Sequence, residues 1–425
     1  MTVSEKVALT QAETEIINNF IALKGKLPQR GLLLETARKA AMDAFYKHGL
    51  PSRRMENWHY TDMRTQLICI APYSSKSGGA LAAPLLSRSI VLGLINGQAV
   101  IPSHKAGKKM PATPFGALLA NGEAELPQDF ANDNVIAQLN TALVSDGWKL
   151  DFPENTSSDK IIELQNVQNG AQSHVRFPVI IGSNANVMII ERQIGNDEES
   201  FISSVSNLDI SEGAQVSWII IRTRGMTSTE LNQFNARLGK NVALKLYIIN
   251  AGSRFLRQEI NVNLDGMGAD FQLRGINLLS GKTHTDTTMV VRHLAKDTTS
   301  TEIIRNVAID EARGVFQGMI RVAKEAQKTD ASMICNSLIL SDSAEFDTKP
   351  ELEIFADDVA CGHGATVAEI DRDQLFYLMA RGIPEAQARA MLVKAFVGEL
   401  IEGFDRKEMG EVLHILLDQW LQVHI

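Results

Sequence analysis

The chain has 425 residues, and its 42 basic and 50 acidic side chains give a formal charge of -8 and a pI near 5.7, a balance with no electrostatic footprint for nucleic acid or an anionic membrane. Three scattered cysteines, Cys69, Cys335 and Cys361, exclude a disulfide framework and fit a reducing cytoplasm. The acid-containing start MTVSEKVALTQAETE is no signal peptide, and no stretch approaches the roughly 20 apolar residues of a membrane span.

In chain order, Ile16, Ile17, Phe20 and Ile21 fall at helical spacing within 11–23, and a second amphipathic helix over 33–48 stops at Gly49 and Pro51. PSRRMENWHYTD follows, in which Trp58 and Tyr60 are expected to anchor a loop onto the core rather than to form a binding patch. SSKSGGALAAPL then marks a linker, which closes a helical cap and linker unit at 1–88. SIVLGLINGQAVI predicts two strands about a turn at Asn96-Gly97. A Pro-rich insert at 102–114 and a helix near 131–143 complete an irregular strand and helix unit at 89–159.

From 160 to 370 the texture changes to short apolar runs such as NVMIIERQIG, QVSWIIIRT and VALKLYIIN. Turn clusters recur at Glu212-Gly213-Ala214, Gly239-Lys240-Asn241, Met267-Gly268-Ala269, Thr298-Thr299-Ser300 and Glu325-Ala326-Gln327, so their starts lie 27 to 31 residues apart. That is a repeat spacing, and stacked coils of a β-helix would bury their inward side chains against one another, with the helical ends as caps. A conventional β-sandwich is the alternative. Past 370 a helical tail, 371–425, carries two apolar stripes: Met391, Leu392, Ala395, Phe396, Leu400 and Phe404, then Met409, Val412, Leu413, Leu416, Leu417, Trp420 and Leu421. Their default reading is a helix-on-helix core.

No nucleophile elbow, phosphate loop or dinucleotide fingerprint is present. In KTHTDTTMVVRHL, His284 and Asp286 are expected on a solvated strand face. Residues 347–384, DTKPELEIFADDVACGHGATVAEIDRDQLFYLMARGIP, gather the unusual chemistry. If Cys361 and His363 are extended, their spacing aims both at one face, where thiol and imidazole suit a metal or a sulfur-handling task. The bland alternative is a packed Cys beside a His that bonds backbone.

This stretch, together with RGVFQGMIRV and AQKTDA upstream and the Glu, Trp, Tyr-Thr pattern of PSRRMENWHYTD, resembles the SufB/SufD family of iron-sulfur cluster assembly proteins, in the form carried by its SufD branch. The resemblance implies a mainly β fold, a right-handed parallel β-helix core with α-helical N-terminal and C-terminal domains. It implies a non-catalytic scaffold that pairs with a SufB-like sister and takes a SufC-like ATPase on its C-terminal helices; since an edge that meets a homologous partner can also meet a copy of itself, a self-dimer is expected when the chain is isolated. Iron or a transient iron-sulfur cluster would be handled at the sister interface, with His363 and Cys361 as candidate iron ligands and no firmly bound cofactor on the isolated chain. Cys335 aligns with the sulfur-accepting cysteine of SufB, but its apolar flanks predict an inert, inward thiol. Two other functions fit the residues alone, a carbohydrate-active β-helix enzyme and a homodimeric metal-binding module.

Overall fold

The regularly spaced turns become the corners of a parallel β-solenoid. A computed structural model describes residues 8–73, 78–100, 111–128, 130–131, 133–157, 161–404 and 406–425. Most of the Pro-rich insert, 102–110, and part of the linker, 74–77, lie outside the described residues. About eight coils stack, each giving one strand to a nine-stranded sheet and the next to a ten-stranded sheet. Pairing between coils is parallel and in register: Phe201 lies beside Thr229, Thr229 beside Phe255, and Phe255 beside His284. The alternative of a conventional sandwich is thereby set aside.

Each coil must turn sharply between sheets, and it does so on one residue with left-handed backbone. Asn184, Gly213, Asn241, Gly268, Asp297 and Lys328 occupy equivalent corners with φ between 54° and 73°. Asparagine, aspartate and glycine tolerate that conformation. The corners also hold one another: the amide of Asn184 donates to the Glu212 carbonyl, that of Gly213 to Lys240, and that of Asn241 to Met267, each at 2.9 Å. At Gly213 a Cβ would lie 2.3 Å from Asn184 Oδ1, so a side chain there would have to displace the Asn184 amide.

Inward residues fill a continuous column between the sheets, including Phe177, Trp218, Leu246, Phe271, Phe316 and Met333. The outward faces are also apolar in places, and this is where the helices go. Helices Gln11–Leu23, Leu32–His48 and Val135–Leu143 share a core with Phe201, Val205, Leu231 and Phe255 on the outside of the first sheet. Helices Glu385–Glu402 and Lys407–His424 cover Ile219, Ile221, Tyr247 and Ile249 on the outside of the second.

Two expectations are corrected by this packing. The helical ends do not simply cap the column, because consecutive isoleucines such as Ile219, Ile220 and Ile221 leave both faces of a strand apolar and the helices bury the outer one. The tail is accordingly a helix-on-sheet as well as a helix-on-helix core. Its first stripe holds in part: Leu400 is buried and Leu392, Phe396 and Phe404 pack half-buried on the same core, but Val393, Val397 and Ile401 are buried as well, whereas Met391 is 45% exposed. The second stripe stands, with Met409, Leu413, Leu417 and Trp420 buried. No helix among the described residues is long and apolar enough to cross a membrane.

Candidate functional site

The solenoid ends on the strands Glu345–Ile354 and Ala360–Glu369, each of which has a hydrogen-bonded neighbour on one side only. Their side chains are half-buried or exposed, in contrast to the buried alternation of earlier coils. Among the described residues no further coil covers their inward faces.

Cys361 and His363 both lie on the last strand. Cys361 pairs with Ala331, His363 with Met333, and Ala365 with Cys335. Because parallel partners in register point the same way, and Ala331, Met333 and Cys335 are fully buried column residues, Cys361 and His363 also face the column axis. They do so at its open end. Cys361 is half-buried and packs on the column, and that burial pushes its thiol above the ordinary range. His363 is exposed. The expectation that the pair shares one face is therefore met, and the geometry adds that the face is the axial one. On the opposite strand Thr348, Pro350 and Leu352 continue the inward positions of Phe316, Gly318 and Ile320.

Among the described residues no three His, Cys, Asp or Glu side chains come together as a metal cage. Two ligands leave a four-coordinate centre half complete, so anything bound here would need ligands from outside the chain. Cys335, one coil inward, is buried, and its thiol is pushed up to about 11, chiefly by that burial. Asn306 Nδ2 lies 3.3 Å from its Sγ. Asn306 itself belongs to a line of side-chain hydrogen bonds, Asn250 to Asn277 at 2.7 Å, Asn277 to Asn306 at 2.6 Å and Asn306 to Ser337 at 3.0 Å, that ties four coils together.

The sequence reading of His284 and Asp286 is overturned. Both are buried, at 5% and 0% exposure, beneath the segment 56–61. The Thr61 hydroxyl donates to Asp286 Oδ2 and lies 3.1 Å from His284 Nε2. Since a hydroxyl has one proton, His284 is the donor in the second contact and carries its proton on Nε2. Burial lowers the His284 pKa to about 4, so it is neutral at pH 7. Arg257 Nη1 lies 2.7 Å from Asp286 Oδ2, and its guanidinium sits 4.1 Å from the centre of the Trp58 ring. Trp58 is fully buried, which bears out its reading as an anchor, while Tyr60 is only half-buried. Local alternation in KTHTDTTMVV signals a polar strand face, but nothing in it reveals a loop from more than 200 residues away covering that face.

At the C-terminal side, helix Arg372–Ala380 buries no residue, and Phe376 and Tyr377 are 72% and 55% exposed. Ile415 on the last helix is 57% exposed. These are apolar groups on the outside of the tail.

Residues 164–396 match the family model described as SUF system FeS cluster assembly, SufBD core domain. The chain is 28% identical to the iron-sulfur cluster assembly protein SufD of Escherichia coli over 366 residues, covering 83% of this chain and 85% of that protein. It is 28% identical over 430 residues to an iron-sulfur cluster assembly SufBD family protein of Synechocystis, covering 93% and 94%. A third relative, protein ABCI7, chloroplastic, of Arabidopsis thaliana, is 25% identical over 427 residues, covering 90% and 85%.

Proposed function

Because the chain belongs to the SufBD family of SUF-system iron-sulfur cluster assembly proteins, we propose that it is a SufD-like, non-catalytic scaffold subunit whose open solenoid end pairs with a SufB-like sister in the cytoplasm. The observation that carries this reading is the uncovered last coil. Its two edge strands keep one row of backbone donors and acceptors free, so a homologous solenoid end can continue both sheets. The same end presents Cys361 and His363 along the axis, half a ligand set awaiting the other half.

Imidazole and thiolate both suit iron, and the nascent cluster is cargo that the sister's groups would help to hold. Iron must displace the Cys361 proton on binding, since burial holds that thiol protonated near neutral pH. A SufC-like ATPase would dock on the tail, 371–425, where Phe376, Tyr377 and Ile415 offer apolar contacts. Closure of its two copies on nucleotide would pull on the tails of both sisters and open the shared end to iron and sulfur.

The experiment is anaerobic isolation of the tagged chain from its native host, with identification of its companions. The expected result is a SufB-like sister and a SufC-like ATPase in one complex. A chain that emerges alone, or as a self-pair with bound iron and no ATPase, would replace this reading by the homodimeric metal-binding module.

A further inference from the structure

The Glu, Trp, Tyr-Thr segment near the N-terminus has no part in the site just described, yet it makes bonds that reach it. We propose that residues 56–61 are a strap that positions the partner-facing edge strand Glu345–Ile354, which makes Glu56, Trp58 and Thr61 positioning residues for cluster assembly. The functional half of this inference rests on the reading of the open end as the partner surface.

The strap crosses the outside of the first sheet over its last coils. Outward residues Glu259, Thr288, Gln317 and Lys349 stand side by side in register on successive strands. The Asn57 carbonyl accepts from Arg257 Nη2 at 2.7 Å and from Gln317 Nε2 at 3.2 Å, so one peptide group bridges strands two coils apart. Between them, Thr61 closes on His284 and Asp286. At the far side Glu56 pairs with Lys349 on the edge strand itself. Four consecutive strands are thus bound to one short loop, and the last of them is the strand with a free edge.

An edge strand is held by ladder bonds on one side and opens more easily than strands within the sheet. The strap adds side-chain bonds across the outer face of that weak strand and of its neighbour Arg313–Val322. Its anchor is strong where the edge is weak: Arg257 and Asp286 are fully buried, and Trp58 seals them from water. Fixing the twist and position of the edge strand fixes where a partner's strand pairs, and through the shared last coil it also fixes the mouth in which Cys361 and His363 stand.

The test is hydrogen-deuterium exchange on the full chain, comparing wild type with Thr61→Val and Glu56→Gln, followed by titration with the SufB-like sister. Thr61→Val removes one buried hydroxyl while keeping shape, and Glu56→Gln removes only the tie to Lys349, so neither threatens the fold as Trp58→Ala would. We expect amides of Glu345–Ile354 to exchange roughly tenfold faster in Thr61→Val and a few-fold faster in Glu56→Gln, with Ser200–Ile210 unchanged and sister affinity reduced alongside. Faster exchange confined to 51–66, or raised equally in every strand, would overturn the strap. A loosened edge with unchanged sister affinity would leave the strap standing and overturn that edge as the partner surface, and with it the positioning role.

Discussion

Replacing Glu230 by Gln removes one negative charge from a fully buried ionic group of the solenoid. Glu230 Oε2 lies 2.6 Å from Arg224 Nη1 and 4.0 Å from Arg222 Nε, while Oε1 accepts from Ser253 Oγ at 2.5 Å. All three charged side chains are at 2% exposure or less. Burial alone would raise the Glu230 pKa, but Arg224 and Arg222 together hold it below the ordinary carboxylate range. The amide keeps the shape and leaves two buried guanidinium groups short of a counter-charge, which should cost about 3–5 kcal/mol. The pH dependence follows from the sign: a depressed carboxylate stabilises fully above its unfolded pKa of about 4.3, and that contribution is lost as pH falls through the folded value. Urea denaturation of both proteins at pH 7 and at successively lower pH measures it. The deficit of Glu230→Gln should be largest at pH 7 and shrink below about pH 4 as wild type loses its own advantage. A deficit under about 1 kcal/mol at pH 7, or one that does not shrink in acid, would refute the reasoning.

Three further outcomes are expected. Phe376→Asp and Ile415→Asp, on exposed positions of the tail, should leave the melting temperature unchanged and weaken ATPase association at least roughly tenfold; truncation at 384 is a poorer test, because those helices cover the apolar outer face of the second sheet. Under iodoacetamide at pH 8, Cys335 should resist alkylation in the folded chain, since it is buried with its thiol pushed up to about 11, whereas Cys361 should react and be protected once the sister binds. Light scattering of the isolated chain at micromolar concentration should give a dimer that the sister dissolves, and a monomer throughout would count against pairing through the open end.

Much of the solenoid was legible because its corners demand special backbone. Gly213, Asn241 and Gly268 stand at the repeat spacing and adopt the left-handed conformation that marks a corner, while at the later turns the same role falls to Asp297 and Lys328, just beside the clusters read from sequence. The position of the helices was encoded too, in the unbroken run Ile219-Ile220-Ile221, since a strand covered on one face alternates and one covered on both does not. The polar network under the strap was not legible. His284 and Asp286 read locally as wet strand residues, and the distant segment that carries Trp58 and Thr61 covers them. Of the candidate site, the spacing of Cys361 and His363 gave their common face, but that this face opens along the column axis depends on where the coils stop.

The most direct measurement is His363→Ala in cells, with cluster-dependent growth, complex yield and melting temperature read on the same strain. His363 is exposed at the open end of the column, so alanine leaves no cavity and should spare both fold and complex. The account predicts normal complex and stability with cluster assembly lost, and a smaller loss for Cys361→Ser. Normal growth of the His363→Ala strain, or a growth defect matched by loss of the protein, would contradict it.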